Sequence, residues 1–152
     1  MKIDILSVVP ASREATWALV MDIPKAASCI PGIAEVTPDG EARYQATLRA
    51  RVGPMGVNLS GTITVLSQDA DVGEAYFLVE ANDRRVGGGV KTSMSMRVTA
   101  KSAYETELEI VADTTFMGRL GELGQPIIRR KARNTLEEFS KNLSKLVEST
   151  PK

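Results

Sequence analysis

Few residue types in this chain could carry out catalysis. There is no histidine among its 152 residues, which removes the commonest general base, the commonest metal ligand and the usual partner of a serine or cysteine nucleophile. The single cysteine, Cys29, offers too few thiolates for a zinc site, and no imidazole is available to activate it. We therefore predict that Cys29 is a small buried residue, and we expect no metal and no prosthetic cofactor.

The sequence also shows no arrangement of carboxylates that would suit acid–base catalysis. In the stretch "ETELEI", Glu105, Glu107 and Glu109 alternate with threonine, leucine and isoleucine, so at strand period they share the face opposite the apolar one. A general acid and base would have to converge on one inner face, and no pair of acids does so. We interpret these glutamates as a solvated sheet surface and predict no catalytic residue.

Composition and charge argue against a nucleic-acid-binding, secreted or membrane-spanning protein. Nineteen basic residues balance nineteen acidic ones and aromatic residues make up 5%, whereas nucleic-acid binders usually carry a basic excess or stacking platforms. Asp4 and Pro10 interrupt the N-terminal stretch, which argues against a signal peptide. The longest unbroken apolar run, "WALVM", is far too short to span a bilayer. We expect a cytoplasmic protein without a nucleic-acid partner.

The pattern of apolar residues predicts an α+β domain. A strand "KIDILSVV" precedes two short helices, which Ser12 and Pro24 can start. Runs of period two follow, with Asp39-Gly40 as a hairpin turn between the first two. The last segment changes to helical period, with apolar residues at Ile128, Ala132, Leu136, Phe139, Leu143 and Leu146. We predict a curved antiparallel sheet around one long C-terminal helix, as a single domain over 1–148 with a short tail over 149–152.

The predicted inner faces of the strands are apolar and small. Several inward positions carry alanine or glycine: Ala46, Ala50, Gly61, Ala81, Ala100 and Ala112. Unfilled volume destabilises a core, so two interpretations stay open. Bulky side chains of the helices fill the space, or an apolar cavity holds a ligand. Methionines such as Met94 and Met96 favour the cavity, because methionine adapts its shape to varied apolar partners.

The stretch "GRLGELGQPII" contains glycines at 118, 121 and 124 and a proline at 126. Each interior glycine costs a helix about 1 kcal/mol and an interior proline about 3 kcal/mol. We therefore predict a break near Gly124 to Pro126, with the robust helix beginning there. The hypothesis is that residues 117–125 form a smooth, weakly helical strip that acts as a mobile lid over the cavity. The alternative is that the glycines let this turn pack tightly on the sheet.

Basic residues occur at two further places. Arg84, Arg85 and Lys91 flank "VGGGV", which lacks the continuation of a phosphate-binding loop and predicts a flexible, basic hairpin tip. The last helix carries Arg129, Arg130 and other cations beside its apolar stripe. Both are interpreted as solvated surface, with contact to an anionic membrane or a protein as the alternative.

Four strings, "WALVMDIPKAASCIPGI", "YQATLRARVGPMGVNLSGTITV", "GGGVKTSMSM" and "GRLGELGQPIIRRKA", follow one another along the chain. Together they resemble the CoxG family of carbon monoxide dehydrogenase subunits, within the START/Bet v 1-like superfamily. The resemblance implies a helix-grip fold: a seven-stranded antiparallel sheet curled around a long C-terminal helix, with a hydrophobic cavity between them. It also implies a link to molybdenum-containing dehydrogenases, in maturation or membrane recruitment, and for some members the carriage of quinones.

Three functions remain open after this resemblance. The favoured one is a non-enzymatic carrier of an apolar molecule, a quinone, isoprenoid or lipid, serving a molybdenum dehydrogenase. The second is an accessory or membrane-recruitment factor that acts by protein contact through the basic tip and the "CIPGI" loop. The third is a cyclase- or hydratase-type enzyme, in which Tyr44 would have to be the acid. The predicted cavity residues are Trp17, Tyr44, Leu48, Leu59, Phe77, Thr92, Met94, Met96, Leu108, Ile110, Met117, Leu120, Leu123, Ile127 and Ile128, with Tyr44 and Thr92 as polar contacts for a quinone carbonyl.

Many members of that family continue into a proline- and alanine-rich linker and a hydrophobic membrane-binding tail. This chain stops at "LVESTPK". We therefore expect a carrier or accessory factor that works in the cytoplasm, and at most a peripheral, transient contact with the inner membrane face.

Overall fold

The computed structural model describes residues 1–149 as a seven-stranded sheet with helices on its concave side. The strands are β1 (Lys2–Val9), β2 (Ile33–Pro38), β3 (Arg43–Val52), β4 (Met55–Asp69), β5 (Glu74–Asp83), β6 (Gly88–Ala100) and β7 (Thr106–Gly118). The helices are α1 (Arg13–Met21), α2 (Ile23–Ala27), a short 3₁₀ helix (Arg119–Leu123) and α3 (Gln125–Ser149). The predicted order of elements is confirmed. Of the predicted tail, Ser149 ends α3, and 150–152 lie outside the described residues.

The sheet is antiparallel throughout, in the order β1-β7-β6-β5-β4-β3-β2. Strands β1 and β2 are therefore at opposite edges, and α1 and α2 form the connection that crosses between them. Helix α3 contacts both β1 and β3, so it spans the concave face. The predicted sheet curled around a C-terminal helix is confirmed.

Local signals explain the start of each short helix. The Oγ of Ser12 accepts the backbone N–H of Ala15 at 3.1 Å, which satisfies one of the free donors at the start of α1. Asp22 does the same for α2, accepting the N–H of Lys25 at 3.4 Å, with Pro24 in its first turn. These two caps place α2 directly beside the sheet.

Buried apolar side chains form two separate clusters. The main core lies between the sheet, α1, α2 and α3, and includes Val9, Val20, Phe77, Ile110 and Leu143. The second, which we call the tip cluster, consists of Val52, Val57, Leu59 and Leu120. It lies where the 3₁₀ helix covers the ends of β3 and β4. The concave face is thus filled at two places.

The glycine-rich stretch is helical over a shorter range than predicted. Gly118 and Gly124 have φ of +63° and +88°, a region that L-residues adopt at a cost. They bound the 3₁₀ helix that contains Gly121, and α3 begins at Gln125 with Pro126 in its first turn. The predicted break is confirmed. The predicted weakly helical strip over 117–125 is present only over Arg119–Leu123, because β7 extends to Gly118 and Gly124 ends the 3₁₀ helix.

The "VGGGV" segment also differs in part from its prediction. Only Gly87 lies in the hairpin turn, with φ of +76°. Gly88 and Gly89 belong to β6, where Gly88 packs against Leu120. The flexible loop is therefore shorter than predicted, because two of its three glycines take part in the sheet.

Candidate functional site

An apolar cavity of about 110 Å³ lies inside the main core, between the sheet and the helices. The sheet contributes Ile63, Phe77, Met94, Met96 and Ile110. The helical side supplies the opposite wall, in chain order Val20, Ile23, Ala26, Ala27, Ile30, Thr135, Leu136 and Phe139. Small residues of α2 therefore leave the space that the bulky residues of α3 and the sheet enclose.

The helical wall is held in place by one specific hydrogen bond. Asn142 of α3 donates its Nδ2 hydrogen to the carbonyl oxygen of Cys29 at 2.9 Å. Gly32, two positions after Ile30, has φ of +84°, and a Cβ there would overlap the carbonyl oxygen of Arg49. The loop after α2 is thus fixed to α3 on one side and to β3 on the other.

The cavity offers no acid–base chemistry of its own. None of its thirteen described lining residues is titratable. The one polar side chain, Thr135, already donates its hydroxyl hydrogen to the carbonyl of Lys131 at 2.8 Å. An unpaired buried polar group would favour a polar ligand, and here there is none. The lining can therefore select a ligand only by shape and apolar burial.

Cys29 lies in the main core beside this wall, 5% exposed, as predicted. Burial raises the pKa of its thiol, and a hydrogen bond from Ser28 offsets this only in part. The thiolate is the nucleophilic form of cysteine. Cys29 therefore stays protonated at neutral pH and serves as packing.

A line of buried and half-buried residues runs across the sheet next to the cavity. The strand register aligns Tyr44, Ile63, Val79, Thr92 and Thr114 in one row. The hydroxyls of Thr92 and Thr114 lie 3.1 Å apart and share a hydrogen bond. Ile63 of this row also lines the cavity, so the row borders it and places the two hydroxyl groups on neighbouring strands.

The next row towards the tip is built from small residues. Ala46, Gly61, Ala81 and Val90 are paired in register and all remain half-buried. A Cβ on Gly61 would overlap the carbonyl oxygen of Glu80, so this position cannot be filled by a larger side chain. This row of small residues therefore adds little side-chain volume to the concave face, and Ala81 and Val90 pack against the tip cluster.

The fifteen predicted cavity residues lie in several different parts of the structure. Phe77, Met94, Met96 and Ile110 line the cavity. Tyr44 and Thr92 lie in the adjacent row, and Trp17 and Leu108 pack in the main core without reaching the cavity. At the tip end lie Leu48, Leu59, Leu120 and Leu123 in or against the tip cluster. Of the remaining three, Ile128 is buried, whereas Met117 and Ile127 are exposed at the surface.

The helical wall was absent from the predicted site. Ile23, Ala26, Ala27 and Ile30 follow one another at spacings of three, one and three, the pattern of one apolar helix face. That spacing could have identified α2 as a wall. Leu136 and Phe139 were recognised as apolar positions of the last helix but were not assigned to the cavity.

The volume sets a limit on what fits without rearrangement. Pockets for small-molecule ligands usually measure about 300–1,000 Å³, and a dry apolar cavity of about 150 Å³ admits benzene. A cavity of about 110 Å³ is thus sufficient for no more than a small apolar group. A larger ligand would have to displace side chains.

Fold and cavity together define a class. A curved antiparallel sheet that grips a long C-terminal helix over an apolar cavity is the helix-grip fold of START/Bet v 1-like proteins. Solved structures agree: a conserved protein from Geobacillus kaustophilus matches with a TM-score of 0.88 at 19% identity, covering 97% of this chain and 95% of its own. A START superfamily protein from Mycobacterium smegmatis matches with a TM-score of 0.68 at 16% sequence identity, covering 97% of each chain. The ZhuI aromatase/cyclase from Streptomyces sp. R1128 matches with a TM-score of 0.71 at 13% sequence identity, covering 97% of this chain and 93% of its own.

Within this class, the chain belongs to the CoxG family of carbon monoxide dehydrogenase subunits, whose model matches residues 7–148. No curated protein sequence matches it significantly. Family and fold favour a role in binding a hydrophobic small molecule. Within residues 1–149, no helix combines the length and apolar character that a bilayer span requires.

Proposed function

We propose that this protein is a non-enzymatic carrier of an apolar small molecule, which binds between the concave face of the sheet and α2 and α3. The observation that supports this most is the cavity of about 110 Å³, whose only polar side chain is already satisfied. Burial of apolar surface, at about 25 cal/mol per Å², would be the main favourable contribution to the binding free energy. The absence of titratable groups among the lining residues fits a carrier better than an enzyme.

The shape of the concave face favours a ligand with a ring and an apolar chain. A ring would enter the cavity against Phe77 and Met94 by displacing side chains, and methionine can adapt to it. A chain would lie over the small residues Ala46, Gly61 and Ala81, towards the 3₁₀ helix. A carbonyl on the ring would be within the region of Tyr44 and Thr92, the adjacent polar row. A quinone with an isoprenoid tail combines these features.

The 3₁₀ helix would then serve as a lid at the tip end. Leu120 is 1% exposed in the tip cluster, but the helix that carries it is a single turn between two glycines of positive φ. Short segments with few hydrogen bonds open at low free-energy cost. Opening would expose the row of small residues and let a chain enter, which the cavity alone is too small to accept.

The family relationship extends this proposal to a partner. A protein of the CoxG family that holds a quinone would exchange it with a molybdenum-containing dehydrogenase of the carbon monoxide dehydrogenase type. In this role the carrier moves a lipid-soluble electron acceptor between enzyme and membrane, through a transient contact at the inner membrane face.

The direct test is to purify the protein, extract it with organic solvent and analyse the extract by mass spectrometry. The proposal predicts an apolar molecule, in near-stoichiometric amount, after purification or after incubation with a short-chain quinone. Retention of no apolar molecule in either sample would refute it. An unrelated soluble protein treated identically controls for carry-over from the medium.

A second candidate function is supported by a different surface. Four arginines converge on a cleft outside the concave face, which is suited to an accessory factor that acts by protein contact. The two functions are compatible, since cavity and cleft share no residues.

A further inference from the structure

A second, larger cleft of about 1050 Å³ lies between two hairpin ends on the outer side of the tip. Strand β4 pairs with β3 from Met55 onward but with β5 only from Ser60 onward. The sheet is therefore split over this stretch, and the β3–β4 hairpin diverges from the turn that follows β5. The cleft is a direct result of this split.

The walls of the cleft carry an excess of positive charge. Four of its lining residues are arginines, Arg49, Arg51, Arg84 and Arg85, against one acid, Asp83. All four arginines are exposed, and within residues 1–149 none of them forms an ion pair with a carboxylate. Like charges held together without counterions repel, so this arrangement favours an anionic partner.

The single acid does not neutralise the cleft by pairing with an arginine side chain. Asp83 is 4% exposed, and its carboxylate accepts three backbone N–H groups: Asn58 at 2.7 Å, Arg85 at 3.0 Å and Val86 at 3.2 Å. These bonds fix the turn that carries Arg84 and Arg85 to β4. Asp83 thus fixes the backbone of the turn that carries Arg84 and Arg85, and leaves their guanidinium groups available.

The spacing of the other two arginines indicates the form of the anion. Arg49 and Arg51 are two residues apart on the outer face of β3, which separates their Cα atoms by about 7 Å. Alternate side chains of an extended polypeptide have the same spacing. Guanidinium groups pair with carboxylates through two parallel hydrogen bonds, so an extended acidic segment can match the arginines one by one.

We propose that this cleft binds an extended acidic segment of a partner protein, with acidic side chains at alternate positions against Arg49 and Arg51 and further carboxylates against Arg84 and Arg85. A flat bilayer surface reaches the walls of a cleft poorly, and one phosphate group is too small to contact arginines from two separate hairpins. The inference does not depend on the cavity being occupied. Because the N–H of Arg119 donates to the carbonyl of Gly87 at 3.1 Å, the bound segment would lie beside the 3₁₀ helix.

The test uses the full chain and fluorescein-labelled peptides in fluorescence anisotropy. A peptide of alternating glutamate and serine is the probe, and peptides with the same glutamates in one block, or with lysine in place of glutamate, are the controls. The alternating peptide is expected to bind most tightly, and to weaken as salt rises because exposed charges are screened.

Matched variants locate the binding. Arg49→Ser/Arg51→Ser should weaken binding by about tenfold or more, since two charge-assisted pairs with the peptide are lost. Arg130→Ser/Lys141→Ser removes the same charge from α3 and should change affinity less than about twofold. Arg84→Ser/Arg85→Ser repeats the test on the other wall, should the first variant fail to fold by circular dichroism.

Several results would overturn the proposal. They are no binding of the alternating peptide, equal binding of the blocked peptide, or equal losses in the cleft and α3 variants, which would indicate unspecific attraction. Competition at equal charge concentration by inorganic phosphate, or by vesicles containing phosphatidylglycerol, would assign the cleft to a free anion or to a membrane instead.

Discussion

Asp83 and Asn58 connect two hairpins that the sheet itself leaves apart: the carboxylate of Asp83 accepts the backbone N–H of Asn58 at 2.7 Å. Strand pairing between β4 and β5 begins only at Ser60. This one bond, with those from the N–H groups of Arg85 and Val86, replaces the missing ladder at the tip. Both the basic cleft and the attachment of the 3₁₀ helix depend on it.

The first prediction concerns the acid stability of this connection. The backbone hydrogen bonds, from Asn58 first and then Val86, lower the pKa of Asp83 below its ordinary value of 3.8, and burial opposes them. A carboxyl group whose pKa is lower in the folded state stabilises the fold above its ordinary pKa, and this contribution is lost as the pH falls through the lowered value. Asp83→Asn should therefore unfold at lower urea concentration at neutral pH.

The same variant should depend less on pH. Urea midpoints measured from neutral pH down to below 3.8 should fall more steeply for the unsubstituted protein than for Asp83→Asn. The variant Asp71→Asn, at an exposed position, serves as the control and should follow the unsubstituted protein. Parallel curves for Asp83→Asn and the unsubstituted protein would show that Asp83 has no such role.

The second prediction ranks two glycines that flank the 3₁₀ helix. Both have positive φ, but a Cβ on Gly118 would overlap the carbonyl oxygen of Gly87, whereas a Cβ on Gly124 would meet nothing within 4 Å. Gly124→Ala should cost only the backbone strain, about 1–3 kcal/mol. Gly118→Ala should cost clearly more, because the hairpin must also move. Urea unfolding measures both, and equal losses would contradict this interpretation of the tip.

The third prediction separates a lid from tight packing. Gly121→Ala reduces the freedom of the 3₁₀ segment, since alanine has fewer backbone conformations than glycine and Gly121 is not among the glycines of positive φ. If the segment is a lid, dissociation of a bound short-chain quinone should slow several-fold in stopped-flow displacement. A Cβ on Gly121 would lie 3.0 Å from the carbonyl oxygen of Phe116, so some stability should also be lost. Lost stability with unaltered exchange would assign Gly121 to packing.

The architecture was accessible from the sequence because alternation along each strand is a local property. In β3, inward Tyr44 and outward Arg49 follow from period two alone, and Pro126 located the start of α3. The division of the concave face into two clusters was not accessible. It depends on where the 3₁₀ helix places Leu120, which is determined by the positive φ of Gly118 and Gly124.

The predicted site residues are spread more widely than the lining of the cavity. The periodic residues of β5 and β6, Phe77, Met94 and Met96, do line the cavity. Met117 and Ile127 are apolar and were assigned to the same cavity. They are exposed, because they lie on either side of the turn at the tip. The wall from α2 was overlooked, although the spacing of Ile23, Ala26, Ala27 and Ile30 is that of one apolar helix face.

The central claim is that an apolar ligand occupies the cavity, and one pair of variants tests it most directly. Met94→Trp places a large side chain in the cavity wall, whereas Met117→Trp makes the same exchange at a position 45% exposed and away from the cavity. The measurement is the affinity for a short-chain quinone, by isothermal titration calorimetry on folded protein. We predict binding to the unsubstituted protein and to Met117→Trp, with at least about a tenfold loss in Met94→Trp, equivalent to about 1.4 kcal/mol. Equal affinity in both variants, or no binding to the unsubstituted protein, would contradict it.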